Sequence, residues 1–370
     1  MMSSLADYQI TNIDEIPSPS LVVFRKYVEH NIKTVGEIVG GYEGLRPHIK
    51  THKMSQIARM EMAAGITKFK CATPKEAAML ASIGAKDIVI AYHIVGPQIQ
   101  RIIELRHSHP DVTFKIIADD PGAIAVLSEA CQAADITVGV LIDLNTGLNR
   151  TGTEPGEPSL QLARVIHDAP GLTFEGLHVY DGHVGGGTDE ERQIEAKASI
   201  DLGTNTRSLI EEAGIPVNEF VASGSRGFDV TARQEGVDNV SPGTWTLWDT
   251  GYGDMLDFPF KWAALVISRV ISRPDDDLVT LDAGHKSIAP DTPAPHFRVL
   301  GLDGEPEFLI RNEEHQLLRW PKGQEPPRVG TVLYLVPTHV CTTVNMWDEA
   351  FVIDDEGKWS ETWPIDARGH

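Results

Sequence analysis

The run Leu45-Arg-Pro-His-Ile-Lys-Thr-His-Lys53 ends an apolar, strand-like stretch in a cluster of basic and imidazole side chains. In an extended chain alternate residues share a face, so Arg46, His48, Lys50 and His52 would lie together. Cationic and polarisable neighbours leave more of an amine as the free base, which attacks a carbonyl to form a Schiff base. Lys50 is therefore the candidate nucleophile and His52 its candidate catalytic companion. The alternative is a surface lysine flanked by two polar edge histidines.

Three further runs, His178-Val-Tyr180-Asp-Gly-His183, Ser223-Gly-Ser-Arg-Gly227 and Ser241-Pro-Gly-Thr244, lie at the ends of strand-like stretches. Ser223, Gly224, Ser225, Gly243 and Thr244 offer backbone N–H and hydroxyl donors of the kind that cradle a phosphate. Each glycine cluster alone also reads as a turn. Arg150, in a Gly/Asn loop, could hydrogen-bond an anionic ring oxygen or stack on a flat ring, and Tyr180 could support a planar cofactor. A surface arginine and a packing tyrosine are the plain alternatives. His183 reads as a loop residue, with a substrate contact as its alternative.

Farther on lies Val336-Pro-Thr-His339-Val-Cys341. An extended backbone would put His339 and Cys341 on one face, where imidazole and thiolate could share a cation. A thiolate favours Zn²⁺ over Mn²⁺ or Mg²⁺, and two protein ligands leave positions for water or substrate. A buried cysteine beside a polar histidine is the other reading.

These residues need a scaffold that collects them. From Leu45 to about Trp245 short β-branched runs alternate with Ala/Leu/Glu-rich helical patterns. Eight strands are predicted: Leu45–Lys50, Lys68–Thr73, Asp87–Tyr92, Thr113–Asp119, Thr137–Leu144, Thr173–Tyr180, Glu219–Gly224 and Asn239–Trp245. Helices such as Pro74–Ile83 and Glu190–Glu212 separate them. Eight such units predict an α/β fold, a (β/α)₈ barrel with its functional groups at the C-terminal ends of the strands. No Gly-x-Gly-x-x-Gly follows the first strand, which argues against a dinucleotide-binding sheet. After Asp257 the pattern changes to short strands punctuated by Pro, Gly and Asp. Strands are predicted at Trp262–Arg273, Leu278–Asp282, His296–Gly301, Thr331–Val336 and Ala350–Ile353. The expected division is a barrel over 21–256 and a mainly-β domain with the metal pair over 257–370. Residues 1–20 form a segment associated with the β-domain, and the strand Ser20–Phe24 could pair with that domain.

The 370 residues are 41% hydrophobic with a formal net charge of −21, enough for a large core. The acidic excess is spread along the chain and argues against a nucleic-acid or anionic-membrane partner. No stretch approaches the roughly 18 apolar residues of a membrane helix, and Met1–Ile10 is polar and mixed, so a cytoplasmic location is expected. Three widely spaced cysteines, Cys71, Cys131 and Cys341, make no disulfide framework.

Taken in order, several runs resemble the D-threonine aldolase and D-serine dehydratase family, pyridoxal-phosphate enzymes with an alanine racemase-like barrel. They are Pro19–Val23, Arg46–Lys53, Val95-Gly-Pro97, Gly176–Gly182, Ser241–Thr244, Leu281–Lys286, His339-Val-Cys341 and Ala367-Arg-Gly369. The resemblance implies that Lys50 holds pyridoxal 5′-phosphate as a Schiff base, that Arg150 and Tyr180 surround its ring, and that Gly224 and Ser225 bind its phosphate. It also implies a divalent metal on His339 and Cys341, a small D-amino acid substrate, and a homodimer. The expected reaction is cleavage of a D-3-hydroxy amino acid to glycine and an aldehyde. His-x-Cys, where the aldolases carry His-x-Asp, resembles the zinc-dependent dehydratases, so a D-serine or D-3-hydroxyaspartate dehydratase is the alternative. A non-catalytic pyridoxal-phosphate-binding protein is a third reading, which the separate β-domain counts against.

Overall fold

The computed structural model describes residues 5–370; residues 1–4 of the expected N-terminal segment lie outside it. In chain order the first strands are β1 (Ser20–Phe24), β2 (Lys68–Cys71), β3 (Asp87–His93), β4 (Thr113–Ala118), β5 (Val138–Leu144), β6 (Leu172–Val179), β7 (Glu219–Ala222) and β8 (Asn239–Val240). They continue as β9 (Ala264–Asp275), β10 (Leu278–Leu281), β11 (Phe297–Val299), β12 (Glu307–Arg311), β13 (Gln316–Arg319), β14 (Val332–Pro337), β15 (Glu349–Ile353) and β16 (Trp359–Pro364). The chain forms two compact units. One comprises Val35–Lys50 and Ala58–Gly243; the other comprises residues up to Thr34, Thr51–Ile57 and Thr244–Gly369.

In the first unit β2 to β8 form a parallel sheet in sequential order. Helices connect its strands, and their sequences carry clear start signals. Thr73 and Asp120 cap the helices Pro74–Ser82 and Pro121–Ala133, each opened by a proline whose missing N–H costs nothing there. Thr188 and Glu191 make a reciprocal capping box on Asp189–Glu212. Val89, Ile117, Leu141 and Val221, from four strands, pack as one buried cluster.

The expected first strand, Leu45–Lys50, is the main local departure. It makes isolated parallel bridges, Leu45 with Val240 and His48 with Lys70, so it links both edge strands without forming a ladder of its own. Arg46 N–H donates to the Val240 carbonyl and Lys70 N–H to the Pro47 carbonyl, each at 2.9 Å. Pro47 has no N–H to give, which interrupts the ladder. The chain then turns into a 3₁₀ segment at Ile49–Thr51, so strict alternation ends before Lys50. Seven strands and one bridging segment thus take the eight places expected.

The second unit holds a largely antiparallel sheet in the order β12-β13-β10-β9-β1-β15-β16, with β14 also on β9 and β11 on β14. Strand β1 lies antiparallel to β9 and parallel to β15. Its core includes Tyr8, Phe24, Leu265, Ile267, Val336 and Ile353. The expected fold class, a parallel α/β unit with a mainly-β domain, is borne out. Strands β12, β13 and β16 were not foreseen: Glu307–Arg311 is largely exposed, so it lacks the apolar alternation that marks a half-buried strand.

Candidate active site

At the C-terminal ends of the parallel strands lies a cavity of about 340 Å³, lined by Lys50, Lys70, His93, Asp143, Arg150, His178 and Tyr180 among others. Lys50 follows the bridging segment and is partly buried. Its Nζ lies 6.0 Å from the centroid of the Tyr180 ring, and the Arg150 guanidinium lies 4.9 Å from the same ring. Two cations thus approach one aromatic ring. Three of the expected site residues, Lys50, Arg150 and Tyr180, are brought together.

The strand geometry then adds a pair that sequence reasoning did not name. The register between β5 and β6 shifts at Gly176, after which Asp143 and His178 are direct partners. Gly176 has φ of 144°, and a Cβ there would lie 1.9 Å from the Glu219 carbonyl oxygen, so only glycine fits. His178 Nδ1 meets Asp143 Oδ1 at 2.7 Å, while Thr151 donates to Asp143 Oδ2 at 2.8 Å. Burial, aided by the positive charge of Lys70, pushes His178 down to about 4; burial also raises the Asp143 carboxyl, but the bonds and charges of His178, Thr151 and His93 together hold it below its ordinary value. The ring is therefore neutral with its proton on Nδ1. His178 Nε2 is a bare acceptor, buried and without a hydrogen-bond partner among the described residues.

His93, re-aimed by a bulge in β3, brings Nε2 to 3.2 Å from Asp119 Oδ2 and 3.8 Å from Asp143 Oδ2. One ligand atom from each of His93, Asp119 and Asp143 lies within 4.8 Å of the others, close enough to share a cation. The only sequence signal for these residues was their place at strand ends.

The expected phosphate donors are arranged differently. Ser223 Oγ donates to Asp181 Oδ2 at 2.5 Å, and Gly224 N–H donates to Asp181 Oδ1 at 2.7 Å. Burial pushes the Asp181 carboxyl up despite these bonds. Ser223 and Gly224 therefore already serve an internal carboxylate. Ser225 Oγ accepts from Gly243 N–H at 3.2 Å. Thr244 opens a 3₁₀ segment in the other unit.

His52 does not join Lys50. It belongs to the other unit and is fully buried, its Nδ1 accepting from Met54 N–H at 3.1 Å. Burial pushes it down to about 3. Arg46 likewise leaves the expected shared face; it pairs with Asp87 and Glu219, which begin β3 and β7. His183 approaches Ser199 Oγ at 3.3 Å.

In the second unit the expected extended segment is a short helix, Val340–Val344, with His339 at its N-cap. The buried Asp249 carboxylate accepts from Val340 N–H at 3.0 Å, which fixes this turn. Burial pushes Asp249 up to about 6. His339 and Cys341 are nevertheless hydrogen-bonded. Cys341 Sγ also lies 3.2 Å from Thr51 Oγ1, and His339 Nδ1 lies 2.6 Å from Asp291 Oδ2. Burial works against the charged imidazole, but bonding and charge from Cys341 and Asp291 prevail and push His339 up to about 9. The imidazole is thus held between the Cys341 sulfur and the Asp291 carboxylate. This donor set fits a divalent cation, with Asp291 orienting the ring from Nδ1.

Both sites can be set beside known proteins. Residues 25–248 match the family model of the alanine racemase N-terminal domain. The chain belongs to that family. Residues 263–353 match a putative serine dehydratase domain. Within this alanine racemase-like family, D-threonine aldolase of Arthrobacter sp is 30% identical over 361 residues, covering 96% of this chain and 93% of that protein. A 3-hydroxy-D-aspartate aldolase of Paracoccus denitrificans (strain Pd 1222) is 28% identical over 371 residues, with coverage of 96% and 93%. The crystal structure of D-threonine aldolase from Filomicrobium marinum matches with a TM-score of 0.90 and 28% identity, covering 100% of this chain and 99% of that one. The family resemblance read from the motifs is borne out.

Proposed function

We propose that this protein is a pyridoxal-phosphate- and divalent-metal-dependent lyase that cleaves D-3-hydroxy amino acids to glycine and an aldehyde, as its relatives' names suggest. The observation that carries the reading is Lys50 and Arg150 beside the ring of Tyr180 in a cavity at the strand ends. Bound pyridoxal phosphate supplies the electron sink for bond cleavage, and a divalent metal supplies Lewis acidity towards the hydroxyl. Lys50 holds the cofactor through its amine. Tyr180 and Arg150 orient the ring, and the neutral His178 offers Nε2 as a proton acceptor fixed by Asp143. Ser225 and Gly243 would receive the phosphate, with Ser223 and Gly224 as further donors beside Asp181.

His339 and Cys341 hold the metal in the C-terminal β-domain, with Zn²⁺ the cation its thiolate prefers and Mn²⁺ or Mg²⁺ the alternatives. No helix among the described residues is long and apolar enough to cross a membrane, and we place the enzyme in the cytoplasm as a homodimer.

Cys341 favours a second reading, a dehydratase acting on D-serine or D-3-hydroxyaspartate, because a thiolate ligand suits Zn²⁺. The test incubates the cofactor- and metal-loaded protein with D-threonine and with D-serine. Glycine and acetaldehyde from D-threonine support the aldolase. Pyruvate from D-serine without glycine from D-threonine transfers the assignment to the dehydratase.

A further inference from the structure

We propose that Lys70 is the charge-compensating cation of the cofactor pocket and takes up a proton when an anionic ligand binds there. The inference rests on the reading of this cavity as a cofactor site, but on a residue to which that reading gives no task.

Lys70 lines the cavity from β2 and is only 2% exposed. Its Nζ donates to Ser241 Oγ at 2.9 Å, and Ser241 in turn donates to the Ser223 carbonyl at 3.0 Å. No described carboxylate forms an ion pair with it. A buried ammonium with one hydroxyl acceptor and no counter-ion is costly, because its hydration is lost and nothing of opposite charge replaces it.

The surroundings deepen this imbalance. Lys50 and Arg46, from the bridging segment, oppose a charge on Lys70, whereas Asp143 at the end of β5 and Asp181 beyond β6 favour it from a distance. Asp143 is engaged by His178 and Thr151, and Asp181 by Ser223 and Gly224. His48, His93 and Arg150 line the same cavity and add no negative charge. Burial, followed by the charge of Lys50, pushes the Lys70 amine down to about 7. An anionic group entering the cavity supplies the missing charge and favours the ammonium.

The sign of the linkage follows. The ligand prefers protonated Lys70, so binding raises the amine's pKa. Affinity is greatest below the ligand-free value and falls by up to about tenfold per pH unit above it, until the raised value is reached. Lys70 is thereby partly neutral in the empty pocket and cationic in the loaded one.

The test uses 4-deoxypyridoxine 5′-phosphate, which keeps the ring and phosphate but lacks the aldehyde that would react with Lys50. Titration calorimetry at pH 7.5 in buffers of different ionisation enthalpy should show uptake of about half to one proton per site. Lys70→Met should lose that uptake and bind at least tenfold more weakly at pH 6.5; Lys70→Arg, always charged, should bind without uptake and covers the case in which the methionine variant does not fold. Binding with no uptake, or with equal uptake in Lys70→Met, overturns the role of Lys70 alone. Failure of the wild-type protein to bind the analogue overturns the cofactor reading and this inference with it.

Discussion

Arg46→Ala should destabilise the parallel unit by roughly 3–5 kcal/mol at neutral pH, the range for stripping a partner from buried charges. Arg46 is fully buried; Nη1 donates to Asp87 Oδ1 at 2.8 Å and to the Phe69 carbonyl at 3.2 Å, while Nη2 pairs with Glu219. Two charge-assisted bonds at about 1.5–3 kcal/mol each give the gross loss. Lys115 stays on both acids, at 3.1 Å from Asp87 and 2.8 Å from Glu219, which holds the net effect towards the lower end. Burial raises both carboxyls, but Arg46 and Lys115 outweigh it and hold them below their ordinary values. Depressed acids contribute stability that is present above their unfolded pKa and is lost as pH falls through the folded value. The wild-type advantage should therefore be full at pH 7 and shrink below about pH 4. Urea unfolding followed by circular dichroism at both pH values measures it. Equal midpoints at pH 7, or a gap just as wide in acid, would refute the account.

Lys50→Ala should abolish both D-threonine cleavage and the visible absorbance of bound pyridoxal phosphate; a retained band would remove Lys50 from its assigned role. Tyr180→Ala takes away the ring shared by Lys50 and Arg150, and at about 1–2 kcal/mol for a partly desolvated cation–π contact the cofactor's Kd should rise roughly tenfold, read by fluorescence titration. Chelation of the metal-loaded protein should stop turnover and Zn²⁺ should restore it, whereas Cys341→Ala should lower the metal content found by elemental analysis. Unchanged metal in that variant would point instead to other ligands, His93, Asp119 and Asp143 being the first to replace.

The sequence by itself determined the local structure and the family. Apolar runs such as Val138–Leu144, helix starts at Thr73, Asp120 and Thr188, and the change of pattern after Asp257 are local signals, because caps, turns and periodicity act over a few residues. The same locality explains the errors. Alternation along Arg46–His52 assumed an extended backbone, but Pro47 and the turn at Ile49–Thr51 break it, sending Arg46 to a buried ion pair and His52 into the other unit. His339 and Cys341 were expected on an extended segment; Asp249, 91 residues upstream of Val340, stabilises a helical turn there, which no local window reveals.

Only the tertiary structure decided which polar residues face one another. Asp143 meets His178 because the shift at Gly176 sets the register between two strands 35 residues apart along the chain. Asp181 takes the donors of Ser223 and Gly224 through a loop. Lys70 was invisible as a chemical group because its interest lies in what surrounds it. A lysine's charge state depends on burial and on the fields of residues far off in sequence, and those quantities exist only once the strands are placed side by side.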